Sequence, residues 1–134
     1  MLIILKRTDV AEAVQRVTPP LFQQAANGGI ISFYGDVNRA HINMPSILDR
    51  HMGTVLDHPS ELCAQNGWPD VTALVVNRAT GLPGIRWKGF QNVAPQNHAA
   101  VHQSVVASIR SFNWLPVIEQ QFGEVTLKMR IRIR

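Results

Sequence analysis

Residues 71–84 read VTALVVNRATGLPG, and residues 30–37 read IISFYGDV. The first stretch opens with six apolar or β-branched residues, Val71–Val76, and then breaks at Asn77-Arg78-Ala79-Thr80-Gly81. That pattern predicts a strand, a turn, and an irregular second arm running from Leu82 to Trp87. The second stretch predicts a short strand that enters a helix at Gly35-Asp36 and runs to about His41. Between the two, Pro45 and Ser46 open a helix whose apolar residues Ile47, Leu48, Met52, Val55 and Leu56 share one face of a 3.6-residue period. His58-Pro59 predicts an interruption, after which Pro59 restarts a helix that ends at Asn66-Gly67. Two strands separated by helices define an α+β chain.

Toward the N-terminus, Asn27-Gly28-Gly29 reads as a helix stop. Thr8 reads as an N-cap for a helix carrying Val10, Ala11, Val14 and Val17, with Glu12 in its first turn. Pro19-Pro20 predicts the end of that helix and the start of a short second one, Leu21 to Ala26. The opening LIILKR is a strand candidate. Toward the C-terminus, Pro95 to about Phe112 predicts a helix with Ala99, Val101, Val105, Val106 and Ile109 as its apolar positions. A short helix from Pro116 to Gln121 follows.

The last segment, 124–134, is EVTLKMRIRIR. Val125, Leu127, Met129, Ile131 and Ile133 alternate with Thr126, Lys128, Arg130, Arg132 and Arg134, the period of a half-buried strand. Its four cations would stand roughly 6.5–7 Å apart on one face. That spacing suits successive phosphates of a nucleic-acid strand, and it equally suits an edge strand guarded against aggregation. Pairing of this strand with LIILKR is expected. The chain carries thirteen Lys and Arg against nine Asp and Glu, a net +4. Residues 124–134 hold four cations against Glu124, or +3, so the other 123 residues carry only +1. The basic character is therefore local.

Length and composition bound the class. At 134 residues the chain is expected to form one domain, 1–134. Its 46% hydrophobic content argues against disorder, while 16% charged residues is low for a surface facing only water. One cysteine, Cys63, excludes an intramolecular disulfide and a cysteine-based zinc site. No apolar run approaches the ~18–20 residues of a membrane span, and Leu2–Leu5 is too short for a signal-peptide core. The expectation is a cytoplasmic protein with no membrane association.

Residues 30–84, with the Tyr-Gly-Asp helix start at Tyr34 and the motif LVVNRATGLPG, resemble a family of small, poorly characterised bacterial and phage proteins. Val37 stands where that pattern has Leu, and Trp68-Pro69-Asp70-Val71 replaces the commoner Leu-Pro-Pro-Leu. The layout is also similar to the winged helix-turn-helix domain of alkylguanine-DNA alkyltransferases and alkyltransferase-like proteins. Their reactive Pro-Cys-His-Arg is missing: Thr72 occupies the thiol position, and Cys63 lies in the preceding helix. Alkyl transfer to cysteine is therefore not expected. The resemblance implies a winged-helix-like centre over 30–88, with Pro45–Leu56 as recognition helix and 77–88 as a wing presenting Arg78, Arg86 and Lys88. It also implies a phage or mobile-element setting, in regulation, defence or counter-defence. The helix offers Arg50 with Ser46, Asp49 and Thr54. Residues 30–84 carry three Arg against five acids, so the C-terminal cations are expected to supply much of the attraction to phosphate.

Chemistry-bearing patterns are sparse. His98 and His102, spaced i, i+4, could share a metal, but the residue after His98 is Ala99 and no third ligand is implied. His51, Asp57 and His58 cluster without a ligand spacing. Asp70 with Glu124 and Lys128 only partly matches a metal-dependent nuclease, because Val-Val-Asn-Arg stands where Glu-x-Lys is needed. Trp68 and Trp114 are expected to pack inside. Trp87, between Arg86 and Lys88, is expected at the surface, stacking on a base or anchoring a protein. The reading is a non-catalytic, cofactor-free protein that binds DNA, RNA or a nucleic-acid-handling protein. Its contact residues are Arg50, Arg78, Arg86, Trp87, Lys88, Lys128, Arg130, Arg132 and Arg134. The rivals are a protein-binding inhibitor or adaptor and a metal-dependent nuclease or hydrolase.

Overall fold

The computed structural model describes residues 5–123. Helix α1 spans Arg7–Ala26. Its cap lies two residues before the expected Thr8: Lys6 occupies the cap position without a side-chain bond, and Val10 N–H reaches Lys6 O at 3.0 Å. Arg7, expected in an opening strand, is helical instead, while residues 1–4 and 124–134 lie outside the described residues, and with them the expected pairing of terminal strands.

The expected break at Pro19-Pro20 does not occur; α1 runs through both prolines. Neither ring nitrogen carries a hydrogen, so each interior proline costs about 3 kcal/mol. The reason lies in the stripe Ala13, Val17, Leu21, Phe22 and Ala25, which is buried along one continuous face of the helix. Leu21 and Phe22 are 1% and 0% exposed, and each contributes roughly 1.5–3 kcal/mol of burial that a break would forfeit. Replacing Pro19 by Ala should therefore restore one backbone hydrogen bond and stabilise the protein by about 1–3 kcal/mol. The urea midpoint reads this out, and an unchanged midpoint would mean that the ring's own packing offsets the missing bond.

The glycine stop is as expected. Gly28 and Gly29 take φ of +105° and +63°, and Gly29 N–H returns to Gln24 O at 3.0 Å. A Cβ on Gly29 would lie 2.9 Å from Arg110 Cγ, while the Arg110 guanidinium donates to Gly29 O at 3.1 and 3.2 Å. The turn is thereby fastened to a helix far along the chain.

Strand β1, Ser32–Phe33, pairs in parallel with β2, Val75–Val76, in the register Ser32 with Val75 and Phe33 with Val76. Only the end of the expected VTALVV strand is extended. Val71–Leu74 forms a 3-10 turn whose N-cap is Asp70. All six residues are buried, and a uniformly apolar run carries no period that separates strand from tight helix.

Helix α2, Tyr34–Val37, leaves β1 directly and continues as a π-helical turn, Asn38–Ile42, that stops at left-handed Asn43. Buried Asn38 donates to Ile47 O and to Asp49 Oδ1, both at 3.0 Å, and so holds the return of the chain. The expected helix start at Pro45 moves to a 3-10 turn at Asp49–His51, where Leu48 N–H donates to His51 Nδ1 at 2.9 Å.

Helix α3 then spans Met52–Asn66 without the expected interruption at Pro59. The cause repeats that of α1, since the buried stripe Met52, Val55, Leu56, Pro59, Ser60 and Cys63 passes straight through the proline. Gly67, at φ +68°, closes α3. Helices α4, His98–Ser111, and α5, Leu115–Phe122, follow the sequence expectation closely. The fold is mostly helical with one small parallel sheet, an α+β arrangement. Its core is one cluster drawn from α1, α3, α4, α5 and the 71–75 segment, with Val37, Ile42, Ile47 and Trp114 added from the segments between them. Among the described residues no helix is long and apolar enough to cross a membrane.

Candidate functional site

The two stretches that frame the centre of the sequence meet in space. Tyr34, the first residue of α2, accepts a hydrogen bond on its hydroxyl from Gly84 N–H at 2.9 Å. Two residues on, Asp36 holds Arg39 at 2.6 Å and Arg78 at 2.9 Å. Arg78 also lies over the Phe33 ring, 4.1 Å from its centroid. These ion pairs are solvent-exposed and contribute about 0–1 kcal/mol each, so they orient the arginines more than they neutralise them. Asn77 shapes the following turn: its side chain accepts from Ala79 N–H at 2.8 Å, and its backbone N–H bonds Leu82 O at 2.8 Å. Residues 77–88 form that turn and an irregular arm with no strand pairing.

Two cavities that share Tyr34 and Arg50 in their linings adjoin this arm and are taken together as a groove. One end is lined by Asp36, Arg39, Asp49 and Arg78; Tyr34 and Arg50 border both ends. The other end is a cavity of about 270 Å³ between α3 and the arm, lined among others by Thr54, Asp57, Ser60, Thr72, Arg86 and Trp87. Among the described residues, Arg50 and Arg86 make no ion pair, and neither does Asp57. Burial, opposed by the Gly84 bond, pushes the Tyr34 phenol up from its ordinary value, so it keeps its proton at neutral pH.

The floor of the cavity is organised by Asp70. Its Oδ1 accepts from Thr72 N–H at 3.0 Å and from the Thr72 hydroxyl at 2.6 Å. Its Oδ2 accepts from the Ser60 hydroxyl at 2.6 Å and from Trp87 Nε1–H at 3.2 Å. Four donors occupy the roughly four lone-pair directions of a carboxylate. Asp70 is thus a structural acceptor with no site left for a metal, and Ser60 and Thr72 are held in fixed rotamers beside it.

The candidate residues divide clearly. Arg50, Arg78 and Arg86 converge on the groove. Trp87, expected at the surface, is half-buried: its N–H also reaches the Thr72 hydroxyl at 3.0 Å, and its ring packs edge-on against Phe90 at 4.9 Å. The tertiary polar partners of Trp87, invisible in a cation-flanked tripeptide, draw it inward. Lys88 is tied to Glu61 by a short ion pair on the outside of α3, which holds the Glu61 carboxyl low and the Lys88 ammonium high. Lys128, Arg130, Arg132 and Arg134 lie outside the described residues.

His98 and His102 do not form a metal pair. His98 stacks on Phe90 at 3.9 Å and contacts Val93 O through Nε2 at 3.0 Å, while buried His102 contacts Ala73 O at 2.7 Å. Each imidazole is committed to a different carbonyl. No group of three or more metal-ligating side chains occurs among the described residues. Cys63 is buried, and desolvation, aided by the nearby Asp70 charge, pushes its thiol up to about 12, which makes it unreactive at neutral pH.

In the sequence Tyr34, Asp70 and Thr72 stand out only for other roles, and Ser60 and Arg39 do not stand out as site residues. The Asp70-x-Thr72 spacing is a readable capping signal. The contact between Tyr34 and Gly84 has no local signature. Comparison with known protein families, curated proteins and solved structures finds nothing that matches this chain.

Proposed function

We propose that this is a non-catalytic nucleic-acid-binding protein that engages phosphates through the groove under the 77–88 arm. The observation that carries this reading is the gathering of Arg39, Arg50, Arg78 and Arg86 from three separate segments around two adjoining cavities that share Tyr34 and Arg50, with Arg50 and Arg86 free of carboxylate partners among the described residues. In this reading the 77–88 arm takes the part of a wing and α3 that of the helix beside it. The C-terminal cations Lys128, Arg130, Arg132 and Arg134 add a second phosphate-tracking element. Asp36, Asp49 and Asp57 interleave with the arginines, so affinity rests on a few phosphate contacts and falls in the range of non-specific binding, ~10⁻⁴–10⁻⁶ M. A phage or mobile-element setting, implied by the sequence resemblance of residues 30–84, belongs to the same proposal.

The test is fluorescence anisotropy with random-sequence duplex and single-stranded DNA between about 50 and about 200 mM salt. The Arg50→Gln/Arg86→Gln double variant should weaken binding equally for all sequences and reduce the salt slope by about two. Arg130→Gln/Arg132→Gln should do the same if the terminal segment tracks phosphates. A wild-type slope in the first variant removes the groove from the interface. Absence of binding at the lower salt overturns the reading and favours a second one, a protein-binding inhibitor or adaptor. Ile85 supports that alternative, since it stands 84% exposed between Gly84 and Arg86.

A further inference from the structure

We infer that the cavity between α3 and the 77–88 arm takes a nucleotide 5′-monophosphate, either free or as the phosphorylated end of a strand. The strand-end form rests on the nucleic-acid reading above; the free form does not. Size sets the first limit on the ligand. At about 270 Å³ the cavity lies near the lower edge of small-ligand sites, ~300–1,000 Å³, which suits one nucleotide and excludes a duplex.

Polarity narrows the ligand further. The cavity's free donors are the Arg50 and Arg86 guanidinium groups, which match phosphate oxygens in planar, bidentate geometry. Tyr34 adds a third donor: its oxygen already accepts from Gly84 N–H, so its own O–H remains to be given. Acceptors line the same space. Asp57 has no ion-pair partner among the described residues, and Ser60 gives its proton to Asp70, leaving oxygen lone pairs for a ligand. Inorganic phosphate would set its own charge against Asp57 with only its acidic O–H to offer in return. A ligand with an anionic head and adjacent hydroxyl or amino donors satisfies both sets. Trp87 and Leu56 supply an apolar wall for a planar base, and Asp70 and Thr72 fix the indole in place.

The experiment is calorimetric titration of the full chain with the four common nucleoside 5′-monophosphates, the matching nucleosides and inorganic phosphate. Short single strands ending in 5′-phosphate or 5′-hydroxyl, and a circular single strand, complete the set. Monophosphates should bind at least about tenfold more tightly than either nucleoside or phosphate, the effect of adding one well-made set of charged hydrogen bonds. A 5′-phosphate should improve strand binding by a similar factor. Arg50→Gln and Asp57→Asn, both on the exposed rim, should each remove about tenfold, the first from phosphate recognition and the second from discrimination between monophosphate and phosphate. Binding of free monophosphates alone assigns the cavity to a free nucleotide, and the nucleic-acid reading then falls while the cavity stands. Salt-dependent binding of circular and 5′-hydroxyl strands, with no gain from 5′-phosphate and no monophosphate binding, overturns the cavity proposal and leaves the nucleic-acid reading intact.

Discussion

Asp70→Ala is expected to destabilise the protein by about 3–4 kcal/mol, measured by urea unfolding at neutral pH. The carboxylate receives four hydrogen bonds, from Thr72 N–H, the Thr72 and Ser60 hydroxyls, and Trp87 Nε1–H. Alanine would leave buried Ser60 and Thr72 short of an acceptor and remove the cap of the Val71–Leu74 turn. Each orphaned buried group costs about 1–3 kcal/mol, although the Trp87 indole keeps a bond to Thr72. Asn at the same position retains one carbonyl acceptor but sets an amide N–H₂ against donors that cannot all reverse, so about 2 kcal/mol should be lost. Since Trp87 lines the ligand cavity, both variants should also weaken binding there. A loss below about 1 kcal/mol would be that of an ordinary surface carboxylate and would refute the role assigned to Asp70.

Phe22→Ala should cost about 3–5 kcal/mol, the usual range for an aromatic removed from a core that cannot collapse. Phe22 is fully buried and touches three rings: Trp114 and Trp68 edge-on at centroid distances of 5.6 and 5.9 Å, and Phe122 at 5.5 Å. Those rings belong to α5, its entry, and the segment after α3, so the cavity would open where α1, α3 and α5 meet. The companion variant Phe22→Leu keeps most of the volume and should lose only about 1–2 kcal/mol, which protects the test if the alanine variant does not fold. Comparable small losses in both would mean that the aromatic cluster yields easily and does not hold α1 against α5.

Much of the fold is legible locally. The Gly28-Gly29 and Gly67 stops and the extents of α4 and α5 all follow from short-range rules of period, capping and backbone freedom. The same rules mislead at Pro19-Pro20 and Pro59, where the local cost of proline is real but is offset by the burial of a whole stripe of side chains on each helix, Ala13, Val17, Leu21, Phe22 and Ala25 in α1 and Met52, Val55, Leu56 and Cys63 in α3. Val71–Leu74 misleads for a different reason, because a segment buried on every side shows no alternation. Of the candidate site, the arginines were visible as cations, yet only three-dimensional pairing separates Arg50 and Arg86, which have no ion-pair partner among the described residues, from Arg78 and Lys88, which are engaged.

The α+β class, the amphipathic helices, the helix stops and the concentration of positive charge in the final segment are all local properties of the chain, because each depends on neighbours a few residues apart. Tertiary structure decided where the prolines sit, that Trp87 turns inward, that the two histidines serve carbonyls, and that Tyr34 meets Gly84 across fifty residues. Those outcomes depend on burial and on hydrogen bonds between distant segments, whose energies exceed the local preferences they override.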